Sequence, residues 1–275
     1  MFGISSMIDL HSHILSGLDD GALDIATSVE MARMAVADGI THMACTPHIF
    51  PGWYPNSSAT ILPAVHALQA ILDAQEVPLK LCCGADVHIA PDLVERLTNG
   101  DIPTLNHSRY LLLEPSHEVL SPKLEELAAG LLEAGFVPII THPERLLWAE
   151  RHFDVIRRLA DLGCPLQITA GSFLGGFGPA ARKLAEKILK EGRAGLVASD
   201  AHGTTWRKPL MSKAYKTVVD QVGEDEAERL FRHRPAAVLD DAEPDLLMPA
   251  QSVGMRAQSG DGLTQRFVDR IFGNG

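Results

Sequence analysis

Seven short apolar runs alternate with helix-patterned segments along this chain, and six of the seven end in histidine or a carboxylate. The first, Ile8-Asp9-Leu10, passes into His11-Ser12-His13, with Asp19-Asp20-Gly21 a few residues on. Histidines at i and i+2 leave the same face of a strand, and imidazoles beside carboxylate suit a divalent transition metal. Taken alone, such a pair is as well explained by an ordinary surface strand. The second run, Ile40 to Thr46, ends at Pro47-His48, and the third, Leu79 to Cys83, at Asp86. The fourth, Arg109 to Leu113, ends at Glu114; the fifth, Val137 to Thr141, at His142-Pro143-Glu144-Arg145. Pro165 to Thr169 opens the Gly-rich stretch 170–178, and Ala194 to Ala198 ends at Ser199-Asp200-Ala201-His202.

The segments between the runs carry helical signals. Asp24 can cap a helix whose stripe is Val29, Met31, Ala32 and Val36, and Gly39 stops it. A helix over 58–74 is predicted to bend or start late at Pro63. Further helices fall near 91–98, 121–134, 150–162, 179–191, 209–222 and 224–231, while 51–57 reads as a loop over a site. Strands alternating with helices imply a parallel α/β architecture. An open doubly wound sheet would gather its site at one switch point, whereas a (β/α) barrel draws on the C-terminal ends of many strands. The spread of polar residues over nearly every strand favours a barrel, irregular because seven strands are visible rather than eight. The barrel domain is predicted over 1–242. Residues 243–275 are predicted to be a flexible tail, with a short amphipathic helix around Leu263, Phe267 and Ile271.

Bulk properties narrow the partners. The chain of 275 residues is 46% hydrophobic, enough for a large core, and its net charge of −11 argues against nucleic acid or anionic lipid. Aromatic residues make up 5%, too few for base-stacking platforms. Cys45, Cys82, Cys83 and Cys164 form no C-x-x-C pair and read as reduced thiols. With neither a signal peptide nor a membrane-length apolar run, the expectation is a cytoplasmic protein that is not membrane-embedded. A homo-oligomer is left open.

Collected at one end of a barrel, His11, His13, Asp20, His48, Asp86, Glu114, His142, Asp200 and His202 outnumber the ligands of one four-coordinate ion. Two or three ions with a shared carboxylate fit better. The motifs Asp9-Leu10-His11-Ser12-His13, Thr46-Pro47-His48, Thr141-His142-Pro143-Glu144-Arg145 and Ser199-Asp200-Ala201-His202 resemble the polymerase and histidinol phosphatase (PHP) superfamily. Gly17-Leu18-Asp19-Asp20-Gly21, Gly171-Ser172-Phe173-Leu174-Gly175 and Arg207 are similar to its branch of bacterial capsule and exopolysaccharide protein-tyrosine phosphatases. The resemblance spans about residues 7–240. It implies a distorted seven-stranded (β/α) barrel of PHP type in a cytoplasmic enzyme, holding two or three divalent ions, manganese first, with iron or zinc as alternatives. The implied substrate is the phosphotyrosine tail of a cognate tyrosine kinase.

Carried over by position, the resemblance gives one ion to His11, His13 and Asp200 and a second to Glu114 and His142, with Asp86 between them. Asp20, His48 and His202 take the third, and Arg145 and Arg207 clamp the phosphate. The branch usually has glutamate where Asp86 stands, and proline where Ser16 stands; His88 reads as a bystander. Residues 1–6 read as an extension or an upstream start. The expected chemistry is metal-assisted phosphomonoester hydrolysis. Alternatives are a small-molecule phosphatase acting on a histidinol phosphate-like compound and a metal-binding regulator with weak catalysis. An amidohydrolase is disfavoured by the lack of a strand-end lysine. A cysteine-based phosphatase is rejected because no cysteine is followed six residues later by arginine.

Overall fold

The computed structural model describes residues 6–247. The predicted helix around Leu263, Phe267 and Ile271 lies outside the described residues. Strands β1 (Met7–Asp9), β2 (Ile40–Cys45) and β4 (Lys80–Cys83) form one parallel sheet, in the order β1-β2-β4. A second parallel sheet has the order β3-β5-β6-β7-β8-β9. Its members are β3 (His48–Ile49), β5 (Asp86–His88), β6 (Tyr110–Glu114), β7 (Val137–Thr141), β8 (Leu166–Thr169) and β9 (Ala194–Ala198). The fold is therefore α/β with parallel sheets, as expected. The second and third predicted strands, however, are each broken in two, at Thr46-Pro47 and Gly84-Ala85. Proline has no amide hydrogen to donate to a ladder, which accounts for the first break. At the second, a Cβ on Gly84 would come within 2.8 Å of Leu105.

At the carboxyl ends of the strands, the last strand returns to the first. Asp200 donates its backbone N–H to the His11 carbonyl at 2.9 Å, His13 donates to the Ala201 carbonyl at 2.8 Å, and Ser12 and Ala201 form a parallel bridge. Asp9, fully buried, locks the junction by accepting the Ser199 N–H at 2.9 Å.

Side-chain alternation sorts the core into two parts. Ile8 and Leu10, Tyr110 and Leu112, Val137 and Ile139, and Leu196 and Ala198 are spaced by two and share one inner cluster between the sheets. The neighbours pointing the other way, such as Leu111, Leu113, Ile140 and Val197, pack under the helices in the larger cluster. The inner cluster is covered at its amino end by Val238 and Leu247, both fully buried. Tyr110 donates its hydroxyl to the Ala242 carbonyl at 2.7 Å, and Arg109 pairs with Asp241 and Glu243. Residues 243–247, expected to begin a loose tail, thus form a short 3-10 turn with Leu247 seated in the core.

Other differences are local. The helix Ser58–Ala74 is not delayed by Pro63, because a capping box of Ser57 and Thr60 already fixes its start. The Gly-rich stretch begins as a helical turn, Ala170–Phe173, before the helix Gly178–Lys190. The predicted helix over 121–134 is confined to Leu124–Glu133.

Candidate metal centre

All nine predicted ligand residues meet at the carboxyl ends of the strands. Five overlapping groups present donor atoms within 4.8 Å of one another: His13, Asp20, His48 and His202; His11, His142 and Asp200; His11, His13 and Asp86; His48, His88 and Glu114; and Glu114, His117 and His142. β1 and its extension aim His11 and His13 inward together, their Nε2 atoms 3.2 Å apart. One Asp200 carboxylate oxygen lies 3.3 Å from His11 Nε2, 3.4 Å from His13 Nε2 and 3.6 Å from His202 Nδ1. Asp86 Oδ2 stands between His11 Nε2 at 3.4 Å and His48 Nδ1 at 3.3 Å. The shorter carboxylate therefore faces two imidazoles at once. The grouping differs from the carried-over one in that His13 also faces Asp20, His48 and His202.

The arrangement fits cations rather than a hydrogen-bonded core. Asp86 Oδ1 and Oδ2, Asp200 Oδ1, His48 Nδ1 and His142 Nδ1 are buried without a hydrogen-bond partner. Unpaired buried polar atoms are costly, so such a concentration points to a bound group. The electrostatics agree. Burial alone would depress the pKa of His11, but the Asp200 and Asp86 carboxylates outweigh it and lift it to about 9. At His48 burial is likewise overcome, by Asp86 and Glu114, which lift it to about 11. The carboxylates thus draw positive charge into the cluster, a demand that divalent ions meet. In contrast, burial and the neighbouring His13 push His202 down to about 4, and burial with Arg145 drives His142 well below its ordinary value. These two imidazoles stay neutral and keep lone pairs to donate.

Arg145 and Arg207 both reach Asp200 Oδ2 in close ion pairs. Arg207 also donates Nε–H to the Asp200 carbonyl at 3.1 Å and lies 3.0 Å from His202 Nε2. His142, Asp200 and Arg207 all hold positive φ (33°, 53° and 46°), strain that non-glycine residues carry where a site demands it. In the predicted loop 51–57, Tyr54 stacks on His48 with centroids 5.6 Å apart; Phe50, just before it, stacks on His88 at 3.8 Å.

Sequence reasoning missed several members. His88, read as a bystander, is in close ion-pair contact with Glu114 Oε2, and His117 Nε2 lies 3.1 Å from Glu114 Oε1. Asp19, without a predicted role, accepts the Nδ1–H of His13 at 2.6 Å. Gln167 accepts the Nδ1–H of His11 at 2.8 Å. Gln167 was detectable as a polar residue amid the apolar β8; for His117 the only clue was its position three residues beyond Glu114.

Parallel strands that deliver histidines and carboxylates to one rim define a class of α/β proteins with a clustered, metal-type donor site. Solved structures with about one-half fold similarity extend this at the level of fold alone. They include a lactonase from Listeria monocytogenes (13% identity, TM-score 0.53, covering 86% of this chain and 95% of that one). Within that class, the chain belongs to the capsular polysaccharide synthesis CpsB/CapC family, whose model matches residues 7–240. It is 32% identical to the tyrosine-protein phosphatase YwqE of Bacillus subtilis, over 80% of this chain and 86% of that one. It is 31% identical to the tyrosine-protein phosphatase CpsB of Streptococcus pneumoniae, over 86% and 99%. A solved structure from the work on these two, described as unique metal-dependent tyrosine phosphatases, matches with a TM-score of 0.83 and 31% identity, covering 86% of this chain and 96% of that one. This chain is accordingly a phosphomonoester hydrolase of the CpsB/CapC type.

Proposed function

We propose that this protein removes phosphate from phosphotyrosine, using two or three divalent ions, manganese foremost. Its partner in this reading is the phosphotyrosine tail of a cognate tyrosine kinase of capsule or exopolysaccharide synthesis, met in the cytoplasm. Among the described residues no helix is long and apolar enough to cross a membrane. The observation that carries the reading is the cluster of nine predicted ligands flanked by two arginines.

His11, His13, Asp20, His48, Asp86, Glu114, His142, Asp200 and His202 would hold the ions, with His88 and His117 beside Glu114. When bound, such ions supply Lewis acidity: they lower the pKa of water and neutralise phosphoryl charge. Asp19 and Gln167 fix the ring orientation and tautomer of His13 and His11 through the far nitrogen, as outer partners of metal ligands do. Arg145 and Arg207 orient the phosphoryl group. A guanidinium carries five N–H donors in a planar fork, and Arg145 commits one of them to Asp200. Phenol has a pKa of about 10, so a tyrosine side chain leaves without the strong general acid a serine alkoxide requires.

The deciding experiment compares a phosphotyrosine peptide, a phosphoserine peptide and histidinol phosphate as substrates of metal-reconstituted protein. The expected result is strong preference for phosphotyrosine, lost on chelation. Activity should also survive thiol alkylation at neutral pH. Cys45 and Cys164 are fully buried, burial raises the Cys83 thiol, and burial and Cys83 push Cys82 up to about 12. Equal rates on all three substrates, or a preference for histidinol phosphate, would refute the assignment.

A further inference from the structure

Beside the cluster lies a cavity of about 340 Å³ for which the roles above have no use. Leu147, Phe177, Ala180 and Leu184 form its apolar walls, and it meets the metal centre at Arg145 and His117. The Arg145 guanidinium lies 4.2 Å from the centroid of the Phe177 ring and that of Arg207 at 5.9 Å, so one aromatic side chain borders both phosphate-directed cations. At the mouth, Leu147 is 75% exposed, leaving the opening free for a side chain that enters from a polypeptide. On the inner side stands Glu144, 2% exposed, whose Oε1 accepts from the Thr169 N–H at 3.0 Å and the Ser172 hydroxyl at 2.7 Å. Its Oε2 is buried with no hydrogen-bond partner.

A phosphomonoester must place its phosphoryl group at the arginines and its alcohol portion elsewhere. The cavity is roughly twice the size of the ~150 Å³ void that holds benzene in a protein core. The Phe177 ring in the wall can meet a second aromatic ring edge to face or offset. A small alkyl side chain such as that of serine would leave most of the apolar wall uncovered. We propose that this cavity is the aryl subsite, which takes the phenyl ring of the phosphotyrosine side chain and makes Phe177 and Leu184 specificity-determining walls. The assignment rests on the phosphotyrosine reading above.

Two variants avoid the arginines and the cluster. Ala180→Phe narrows the cavity and Leu184→Ala widens it. With metal-loaded enzyme, Ala180→Phe is expected to lower the ratio of kcat/KM for phenyl phosphate over phosphoserine by about tenfold, the scale on which apolar pockets discriminate. Leu184→Ala is expected to raise the ratio for naphthyl phosphate over phenyl phosphate by several fold, a gain that misfolding cannot mimic. Calorimetry with benzylphosphonate and methylphosphonate gives a readout without turnover: the wild-type preference for the benzyl compound should shrink in Ala180→Phe. Unchanged ratios in both variants would overturn the subsite. A wild-type enzyme with no aryl preference in turnover would instead overturn the phosphotyrosine reading, and the phosphonate binding would still decide the cavity.

Discussion

Asp19 accepts three hydrogen bonds: from His13 Nδ1 at 2.6 Å, from the Gly21 N–H at 2.9 Å and from the His48 N–H at 2.9 Å. It therefore orients one ligand through the ring and another through the backbone, while its neighbour Asp20 faces the cluster. Against the cost of burial, the adjoining His13 and these hydrogen bonds hold its carboxyl below the ordinary range, so it stays ionised at neutral pH. Asp19→Asn keeps the shape and removes the charge; it should weaken metal affinity by about 10- to 100-fold, as loss of an outer partner does. Titration with a metal buffer checks this, and an unchanged affinity would remove Asp19 from the site. The convergence of the nine predicted residues was legible beforehand because the ends of neighbouring parallel strands lie side by side whatever the rotamers. Asp19, Gln167 and His117 were not, because their roles depend on where a side chain points once the backbone is built.

The turn at Asp19-Asp20-Gly21 is tied to the first strand by close packing. A Cβ on Gly21 would lie 2.1 Å from the His13 carbonyl oxygen, and Ala22 donates its N–H to that same oxygen at 3.0 Å. Gly21→Ala must therefore push the turn away from His13. We expect a loss of stability of about 1–3 kcal/mol, in the range typical of overpacked sites, together with poorer metal retention. Denaturant unfolding and metal analysis read the two effects separately. Among elements, the regular strands β7 and β9 were predicted to the residue because their apolar runs are bounded by turn signals. The breaks in the second and third strands were not foreseen: the pattern of apolar residues continues across Thr46-Pro47 and Gly84-Ala85, while the hydrogen-bond partner changes. Pro63 misled in the opposite direction, since local sequence names a helix breaker but not the capping box that outweighs it.

Across the whole molecule, Asp86, Glu114 and Asp200 are buried near half-exposed Asp20 and among imidazoles, and Arg145 and Arg207 pair with Asp200. Bound divalent ions should then stabilise the fold as well as serve the reaction. A ligand present at 100 times its Kd adds about 2.7 kcal/mol, which for a domain of this size raises Tm by about 5–10 °C. Chelation should reverse that rise. Because binding must displace the protons that the carboxylates hold on His11 (about 9) and His48 (about 11), the metal-dependent part of the rise should shrink progressively as pH falls from about 9. Calorimetry with and without chelator at two pH values tests both, and a Tm indifferent to chelation would contradict a multi-ion centre. The parallel α/β class was legible in the alternation of elements, whereas the packing of Leu247 under the inner core was hidden within a stretch whose composition reads as tail.

The bridge between Ser12 and Ala201, with Asp9 fastened to Ser199, sets an order in time as well as in space. His11 and His13 leave the ribosome early, but the partners that complete their site, Asp200 and His202, follow 189 residues later, just after β9. A nascent chain can fold its first strand and helix long before it has a metal centre. The complete cluster therefore waits until synthesis has passed β9, and a truncated product ending before Asp200 lacks the two groups that Asp200 and His202 complete.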